Sequence, residues 1–479
     1  MFPDTLCSAL TELHADAPAH SWKITKRTVE EALCIPKGRL LEVFQSFERE
    51  PVASGSIAQI HRAVIRPSGA AACESKKLFE KVYGGLKDGD VGQLVAIKVR
   101  HPKVARLIDM DFRIMGILAS IIDHLPGLGW LRIRSSIDQF SHTMAAQAHL
   151  NVEAHHLEVL NYNFRKWDGV GFPKPLFACP SVIIETFENG KICSNIFDRY
   201  DRLAAEVGLT ASEIIPIPLA EFVVTTGLGL YLKMLIIDNL MHADLHPGNI
   251  MVLAELFDKC DAISSMLHSE DPTPQHAMKM ARAELAYGFY GHITLVDAGM
   301  VAQLAEQDSA NFIGLMSSLG AGDGRTAAES VLKFSNEVGY LTKEEEAAFT
   351  QEMISFFEER CRGYGTNTDV GEVLRGVLGI IKNHRVRIDA NYATLVVNAL
   401  CIEGLAKRVC PAYNVLDAAK PLLSSYRALP NFISKNRVVR SSFYSVHLHL
   451  RLSSMYANSQ FLTISHLSKL MSSSHHINP

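Results

Sequence analysis

The chain has 479 residues, of which 48% are hydrophobic and 20% are charged, and its formal net charge is −4. This composition is that of a folded globular protein large enough for more than one core, and it excludes a largely disordered chain. Because there is no basic excess, a nucleic-acid partner is not expected.

The nine cysteines are scattered, and no two of them form a Cys-x-x-Cys pair. An odd count argues against a disulfide framework, and the spacing argues against a zinc site. We therefore expect reduced and mostly buried thiols.

Residues 1–46 are predicted to form a helical extension that ends near Pro36. The acidic residues Asp4, Glu12 and Asp16 interrupt what would have to be a basic, acid-free presequence. No secretory signal is therefore predicted.

A β-rich segment follows over residues 47–187. Strand composition is found at Val52–Val64 and at Leu94–Val99, with a polar loop at Ser75–Gly92 between them. Lys98 lies in the middle of the second strand, where it is either an exposed residue on one face or a ligand-binding lysine.

Within the first stretch, a turn of small residues precedes the strand Ile57–Val64, and such residues let backbone N–H groups approach a phosphate. These residues are Ala53, Ser54, Gly55 and Ser56. The pattern is not Gly-x-Gly-x-x-Gly, so by itself it indicates a nucleotide site only weakly.

Residues 104–165 are predicted to be helical because apolar residues recur three and four positions apart. Glu153 is placed in the middle of one helix and is our choice for the carboxylate that orients Lys98. Glu158 is the alternative, and the spacing separates the two only loosely.

Two apolar stretches, Met115–Ile122 and Ile214–Met241, approach membrane character. The first is too short to span a bilayer. The second is interrupted by Glu221, Lys233 and Asp238. We expect both to be helices buried in the fold.

Ser181–Phe187 has the β-branched composition of a buried strand. Residues 188–435 are predicted to be mainly helical, apart from short strands around Met251 and Leu295. Within them, residues 254–291 form a mixed-charge insertion.

Residues 436–479 form a Ser- and His-rich tail with little apolar density, which we expect to be poorly ordered.

The strongest single motif is His242-Ala-Asp244-Leu-His-Pro-Gly-Asn249. An Asp and an Asn five positions apart, on a loop that Pro247 stiffens, fit a phosphoryl-transfer loop. In such a loop the Asp accepts or orients the proton of the nucleophile, and the Asn binds Mg²⁺. His242 is interpreted as a structural histidine beneath the loop. The alternative is a polar helix-to-strand turn that contains these residues by chance.

Asp297, in Leu295-Val-Asp297-Ala-Gly299, follows a predicted strand and is a candidate Mg²⁺ ligand, since Mg²⁺ prefers oxygen ligands. The order along the chain is small-residue turn, strand lysine, Asp–Asn loop and metal-binding Asp. In kinases with this order the lysine holds the α- and β-phosphates of ATP. The sequence therefore predicts an α+β, two-lobed, protein-kinase-like fold. Its N-lobe is small and β-rich with extra helices, and its C-lobe is larger and helical.

After Gly299 no long polar activation segment follows, and Val301 is predicted to run straight into a helix. Protein kinases use that region as a platform for peptide substrates. Its absence argues against a protein substrate.

Four stretches resemble the aarF-domain, or UbiB-like, atypical kinase family. They are PVASGSIAQIHRA (51–63), VAIKVRHPKV (95–104), YLKMLIIDNLMHADLHPGN (231–249) and LVDAGMVAQL (295–304). The similarity runs from about residue 3 to residue 435, and HADLHPGN is highly specific for this family. Asp-Ala-Gly in place of Asp-Phe-Gly, with the insertion before it, is most similar to the aarF-domain-containing kinase 2 subgroup.

The resemblance implies an ATP- and Mg²⁺-binding kinase or ATPase in mitochondria, linked to coenzyme Q (ubiquinone) biosynthesis or lipid metabolism. Its implied partners are a nucleotide and a lipid or quinone-pathway small molecule, with peripheral membrane contact. Position by position, it implies a nucleotide loop at Ala53–Ser56, a phosphate-binding Lys98 paired with Glu153, a catalytic Asp244, and Asn249 and Asp297 as metal ligands.

Three departures from the family pattern stand out. The family's Lys-x-Gly-Gln motif should lie upstream of Met1, so we expect the chain to be shortened at its start, without a presequence. The family's Glu-x-Asp motif reads Gln147-Ala-His149, and Ala298 replaces the Phe of Asp-Phe-Gly.

Three hypotheses follow. An active kinase or ATPase is favoured by the intact Lys98, Asp244, Asn249 and Asp297. A catalytically weak pseudokinase scaffold that binds nucleotide and a partner is favoured by the missing motif and by Gln147 and His149. A protein kinase is disfavoured by the missing peptide platform.

Overall fold

The structure is a computed structural model that describes residues 18–66, 92–125, 133–167, 169–206, 208–254, 291–303, 306–334, 341–366, 368–386, 390–411 and 413–428. The polar loop predicted at Ser75–Gly92, the insertion at 254–291 and the tail at 436–479 lie almost entirely outside the described residues.

The chain divides into two compact units. The first contains the described residues up to Asn195, together with His242–Leu253 and His292–Ala302. The second contains the described residues of Ile196–Met241 and those from Gln303 onward. Every candidate site residue named above belongs to the first unit.

From residue 18, where the description starts, the first unit contains the helices α1 (Trp22–Ala32) and α2 (Leu40–Val43). They are followed by one antiparallel sheet in the order β1-β3-β4-β7-β6, with β2 paired to β3. Its strands are β1 (Phe44–Phe47), β2 (Ala53–Ser54), β3 (Ala58–Ile65), β4 (Gln93–Arg100), β6 (Pro175–Cys179) and β7 (Val182–Thr186).

The central strand β4 is buried on both faces, and the alternation of its side chains separates core from site. Val95, Ile97 and Val99 pack with α1 and β7 in the main hydrophobic core of the unit. Ala96 and Lys98 are also buried but point to the opposite face, because successive side chains of a strand alternate. The strand therefore fixes Lys98 on a rigid support.

A buried polar network beside the core ties α1 to β3. His61, which is 0% exposed, contacts the Glu48 carbonyl oxygen through Nδ1 at 3.0 Å and Gln59 Nε2 through Nε2 at 2.9 Å. The carbonyl can only accept and the amide nitrogen can only donate, so Nδ1 carries the proton of a neutral imidazole. Burial accordingly lowers the pKa of His61.

We expect the neutral His61 to make the protein sensitive to acid. The pKa of His61 in the folded state lies below its pKa in the unfolded chain. The stability that this difference contributes is fully present above the unfolded pKa, and it is lost as the pH falls from there through the folded pKa. Between pH 7.5 and 5.5 the free energy of unfolding of the wild type should fall more than that of His61→Gln, by up to roughly 1 kcal/mol. Urea unfolding at both pH values measures this. The exposed His142→Gln variant should follow the wild type, and equal pH dependence of wild type and His61→Gln would contradict the prediction.

Between β4 and the next strands the described residues form the helices α3 (Val104–Asp123), α4 (Ile133–Gln147) and α5 (Leu150–Phe164). Helix α5 packs against β6 and β7. Glu153 stands in the first turn of α5 and not in the middle of a helix, because α4 ends at Gln147 and a new helix starts at Leu150.

The expectation that Met115–Ile122 is buried is wrong. Ile117, Leu118 and Ile121 are 61%, 54% and 59% exposed, and within this stretch Gly116 and Ala119 are buried. Helix α3 packs on α4 through its small residues, so its large apolar side chains remain on the outer face.

A second sheet of the first unit has the order β5-β11-β10-β8, and a two-stranded ribbon joins β9 to β12. The strands are β5 (Val170–Gly171), β8 (Lys191–Ile192), β9 (Met241–His242), β10 (Ile250–Ala254), β11 (Gly291–Leu295) and β12 (Val301–Ala302). Strands β8, β9 and β12 are too short to leave a sequence pattern, and β12 shows that Val301 does not run straight into a helix.

The second unit is helical. It contains most of α6 and then α7 to α14, namely α6 (Cys193–Glu206), α7 (Ala211–Ile214), α8 (Ile217–Lys233), α9 (Glu306–Ala321), α10 (Gly324–Leu332), α11 (Lys343–Arg360), α12 (Val370–Asn383), α13 (Ala390–Val409) and α14 (Val415–Ala428). Its core includes Tyr200, Phe312, Phe349 and Phe357.

Helix α8 continues as a π-helical turn at Met234–Asp238. Within the described residues, the stretch Leu219–Asp238 is the one that is long and apolar enough to cross a membrane. Of its most apolar part, 78% is buried in the fold. Such burial is typical of a core helix.

The mixed α+β class, with a small β-rich N-terminal part and a larger helical C-terminal part, is confirmed.

Candidate functional site

Lys98 is the centre of a buried charge cluster. Its Nζ donates a hydrogen bond to Glu153 Oε1 at 2.5 Å and to the Val296 carbonyl oxygen at 3.1 Å. Glu185 Oε1 lies 3.5 Å from the same nitrogen. The strand lysine therefore contacts α5, β7 and the residue that precedes Asp297.

The acids around Lys98 keep it charged. Burial by itself lowers the pKa of a lysine, but the charges of Glu153, Glu185 and Asp297 outweigh it and raise the pKa of Lys98. Of the two candidate partners, Glu153 makes the contact, whereas Glu158 is exposed on the same helix.

Asp244 and Asn249 are joined within the loop that precedes β10. Asn249 Nδ2 donates to the Asp244 carbonyl oxygen at 3.0 Å and to Asp244 Oδ2 at 3.2 Å. His246 Nε2 lies 3.6 Å from Asp244 Oδ2, and its Nδ1 accepts the Gly248 N–H at 3.1 Å. The His246 imidazole, partly opposed by burial, holds the pKa of Asp244 below its usual range. Asp244 is thus an ionised, half-exposed carboxylate in a fixed loop.

His242 connects this loop to the segment of Asp297. Its Nδ1 accepts the Asp244 N–H at 3.2 Å, so its Nε2 carries the proton that is donated to the Asp297 carbonyl oxygen. Burial lowers the pKa of His242, which agrees with a neutral ring. A second link is the hydrogen bond from the Val296 N–H to the Asn249 carbonyl oxygen at 3.1 Å.

The Asp297-Ala-Gly299 turn is held from several sides. Asp297 Oδ1 accepts the Gly299 N–H at 2.7 Å, and His156 Nδ1 donates to the Ala298 carbonyl oxygen at 2.9 Å. Glu153 also receives a hydrogen bond from the backbone of Ala298. Ala298 is buried and has no aromatic ring, so side chains of α5 hold the backbone of the turn at the position where Asp-Phe-Gly has its Phe.

The small-residue turn forms a hairpin from β2 to β3. Ala53 pairs with Ile60 and Ser54 with Gln59. The Gly55 N–H donates to the Ala58 carbonyl oxygen at 2.9 Å.

Its tip is anchored to the end of β4. The Gly55 carbonyl oxygen accepts from His101 Nε2 at 2.9 Å. Gly55 and Ser56 are exposed, and they stand beyond the end of β4 that carries Lys98.

Gln147, in the altered Glu-x-Asp motif, lies close to the Asp297-Ala-Gly299 turn. A Cβ atom at Gly299 would be 4.0 Å from Gln147 Nε2. The neutral amide of Gln147, at the end of α4, therefore stands beside the Asp297 turn where relatives are expected to carry an acid.

The residues present fit a magnesium ion bound together with a nucleotide. The amide nitrogen of Asn249 donates to Asp244, so Oδ1 of Asn249 remains available for a metal ion. Oδ1 of Asp297 accepts the Gly299 N–H, so Oδ2 of Asp297 remains available. In the described part of the chain no three His, Cys, Asp or Glu residues cluster as a metal site. Two oxygen donors suit Mg²⁺ that takes its other ligands from phosphates and water.

The structure brings Lys98, Glu153, Asp244, Asn249 and Asp297 into one connected set of contacts, and it places the turn of Ala53–Ser56 at the end of the Lys98 strand. Two contributing residues were not predicted. Glu185 could have been found as an acid inside a run with the composition of a buried strand. His156 carries no signal besides its position three residues after Glu153.

Comparison with known proteins identifies the family. The ABC1 atypical kinase-like domain matches residues 12–73 and 81–331. A probable serine/threonine-protein kinase, abkC, of Dictyostelium discoideum is 29% identical over 90% of this chain and 62% of its own length. A mitochondrial ABC1 family protein of Saccharomyces cerevisiae is 29% identical over 89% of this chain and 64% of its own length.

Bacterial relatives are more distant. The probable protein kinase UbiB of a Shewanella species is 22% identical over 89% of this chain and 65% of its own length. The chain thus spans slightly less than two thirds of the length of these relatives. The match to the family domain covers most of the chain, and the fold is accordingly kinase-like. The chain belongs to the ABC1 (aarF/UbiB) family of atypical kinase-like proteins.

Proposed function

We propose that this protein binds ATP with Mg²⁺ and transfers or hydrolyses its terminal phosphate, as an atypical kinase or ATPase. The observation that carries the proposal is the contact of Lys98 Nζ with both Glu153 Oε1, at 2.5 Å, and the carbonyl oxygen of Val296, at 3.1 Å. One lysine thereby contacts both the helix acid and the segment of Asp297, and phosphoryl transfer in kinases requires such a Lys–Glu pair together with a metal-binding Asp.

The roles follow from the contacts. Lys98, charged and held by Glu153, binds the α- and β-phosphates, and the hairpin tip at Gly55 and Ser56 covers them. Asp244, ionised and oriented by Asn249, accepts the proton of the attacking hydroxyl group or water. His242 keeps the Asp244 loop and the Asp297 turn in register.

Asn249 and Asp297 would hold Mg²⁺ through the oxygen atoms that their internal hydrogen bonds leave available. When bound, the ion neutralises negative charge on the phosphates. The carboxylates of Glu153 and Asp297 outnumber the charge of Lys98 and would otherwise repel a polyphosphate, which is a physical reason for the metal requirement.

The acceptor is proposed to be a small molecule of quinone or lipid metabolism, or water. Fewer than ten residues separate Asp297 from the start of α9 at Glu306, which leaves no long segment for binding a peptide. The bacterial relatives carry the name UbiB and the yeast relatives are mitochondrial. We therefore propose a role in coenzyme Q biosynthesis or lipid metabolism in mitochondria, with peripheral membrane contact.

One observation favours a second candidate, a nucleotide-binding scaffold without turnover. Gln147 stands beside the Asp297 turn and contributes no charge there. A site in which this position has lost its acid could bind nucleotide and a partner and still hydrolyse nothing.

The test is ATP hydrolysis by the purified chain with Mg²⁺ or with EDTA, in the presence and absence of lipid vesicles. We expect turnover that needs Mg²⁺ and that Lys98→Ala lowers roughly 100-fold, since removal of one preorganised charge has effects of this order. The exposed Lys166→Ala variant is the matched control. If ATP binds but the wild type is as inert as Lys98→Ala, the scaffold replaces the enzyme.

A further inference from the structure

Glu185 is a buried carboxyl group of the site to which the proposed reaction gives no role. It lies on β7, is 2% exposed, and has Oε1 3.5 Å from Lys98 Nζ. Its other oxygen, Oε2, is buried and has no hydrogen-bond partner among the residues that the structure describes. Buried polar atoms without a partner are rare in folded proteins, so this oxygen calls for a specific explanation.

The balance of charges around Lys98 indicates that Glu185 carries a proton. Glu153 holds the short contact with Lys98, and one ammonium group cannot neutralise three nearby acids. Burial, opposed by Lys98 but reinforced by Glu153 and Asp297, raises the pKa of Glu185 to about 8. Because Oε1 faces the ammonium group, the proton of the neutral carboxyl is on Oε2. The site therefore contains a buried hydroxyl donor that lacks an acceptor.

The sheet register gives the position of Glu185 along the site. Strands β4 and β7 are antiparallel, with Lys98 opposite Ile183 and Ala96 opposite Glu185. Residues two positions apart on a strand share a face and are separated by about 6.6 Å. Ala96 and Glu185 thus form the next pair on the face that carries Lys98.

The small-residue turn lies in the opposite direction. Ala58, at the end of the turn, pairs with Arg100, and the His101 N–H donates to the Ile57 carbonyl oxygen. Phosphates bound by the turn and by Lys98 would therefore leave the nucleoside extending toward Glu185. The unpaired donor lies at the base end of the proposed nucleotide site.

We propose that Glu185 recognises the base of the bound nucleotide by donating a hydrogen bond from Oε2 to a ring nitrogen of adenine adjacent to the 6-amino group. This inference rests on the proposed nucleotide binding and extends it to base selection. In adenine the ring nitrogens N1 and N7 are acceptors that flank an amino donor, and a neutral carboxyl group offers a donor beside an acceptor. Glutamine keeps a donor at this position, whereas leucine has none.

The test is equilibrium binding of ATP, 7-deaza-ATP and 1-deaza-ATP to the full chain at pH 7. We expect one of the two analogues to bind the wild type roughly 3- to 10-fold more weakly than ATP, the effect of one lost hydrogen bond. Glu185→Gln should retain this discrimination. Glu185→Leu should bind all three nucleotides with equal affinity. That affinity should match the affinity of the wild type for the analogue that it binds more weakly.

The outcomes separate this inference from the proposed function. If both analogues bind the wild type as tightly as ATP, while Lys98→Ala weakens all three, the nucleotide site stands and the role of Glu185 is overturned. If no nucleotide binds the wild type, both proposals fail. Thermal unfolding without nucleotide shows whether Glu185→Leu is folded; if it is not, Glu185→Met, which also has no donor, takes its place, and unchanged discrimination by that variant overturns the role of Glu185.

Discussion

Replacement of Asp244 by Asn is expected to lower ATP turnover roughly 1,000-fold, while ATP affinity changes less than about 3-fold. Asp244 is half-exposed, with 50% of its side-chain surface accessible, so the substitution removes a proton acceptor without opening a cavity. The hydrogen bond from Asn249 Nδ2 to the Asp244 carbonyl oxygen, at 3.0 Å, does not depend on the carboxylate. The loop should therefore keep its shape, and steady-state turnover and nucleotide titration should separate the two effects.

The matched variant is His246→Gln. The nearby imidazole lowers the pKa of Asp244, so its removal raises that pKa and moves the acidic limb of the pH–rate profile to higher pH. At pH 7.5 the carboxylate is still ionised, and we expect less than about a 10-fold loss of turnover there. Turnover by Asp244→Asn above one tenth of the wild-type rate would show that Asp244 is not the catalytic base.

The fold class could be predicted because its signals are local. The strand of Lys98 and the strand at Ser181–Phe187 consist mostly of apolar and β-branched residues, and they become β4 and β7. The two-residue strands β8, β9 and β12 are too short to show such a composition. Strands β9 and β12 form by pairing with each other, and β8 forms by pairing with β10, so each depends on contacts between residues far apart in the chain.

The outer face of α3 shows a different limit. Apolar residues at helical spacing, such as Ile114, Ile117 and Ile121, have the same pattern whether a neighbouring element covers them or not. Here Gly116 and Ala119 make the buried contact, and the larger residues are exposed. Periodicity identifies an apolar face but not what lies against it.

For the site, the sequence supplies the candidates and the structure supplies the choice between them. Glu153 and Glu158 are five positions apart and so face different sides of a helix, but which side faces Lys98 depends on where α5 begins. His149, the residue before α5, makes no side-chain capping hydrogen bond, so the start of the helix has no sequence signature. Glu185 was overlooked because the contact of a strand residue with Lys98 depends on sheet register.

Replacement of Glu153 by Gln is expected to reduce activity more than stability. Removal of one partner from a buried ion pair normally costs about 3–5 kcal/mol, since the other charge is left alone. Here Lys98 keeps Glu185 at 3.5 Å, and loss of the Glu153 charge lowers the pKa of Glu185. Glu185 then ionises and pairs with the lysine, so we expect a stability loss of only roughly 1–2 kcal/mol. Urea unfolding measures it.

The pairing of Lys98 with Glu185, which limits the loss of stability in Glu153→Gln, should lower the catalytic activity of this variant. In Glu153→Gln, Lys98 is drawn toward β7 and away from α5 and the Val296 carbonyl oxygen, and we expect kcat/KM for ATP to fall roughly 100-fold. The exposed Glu158→Gln variant should change neither quantity. Glu153→Gln combined with Glu185→Gln leaves Lys98 without either glutamate and should lose the full ~3–5 kcal/mol. If the double variant is no less stable than Glu153→Gln, Glu185 does not share the lysine, and the charge balance on which its neutral state depends is wrong.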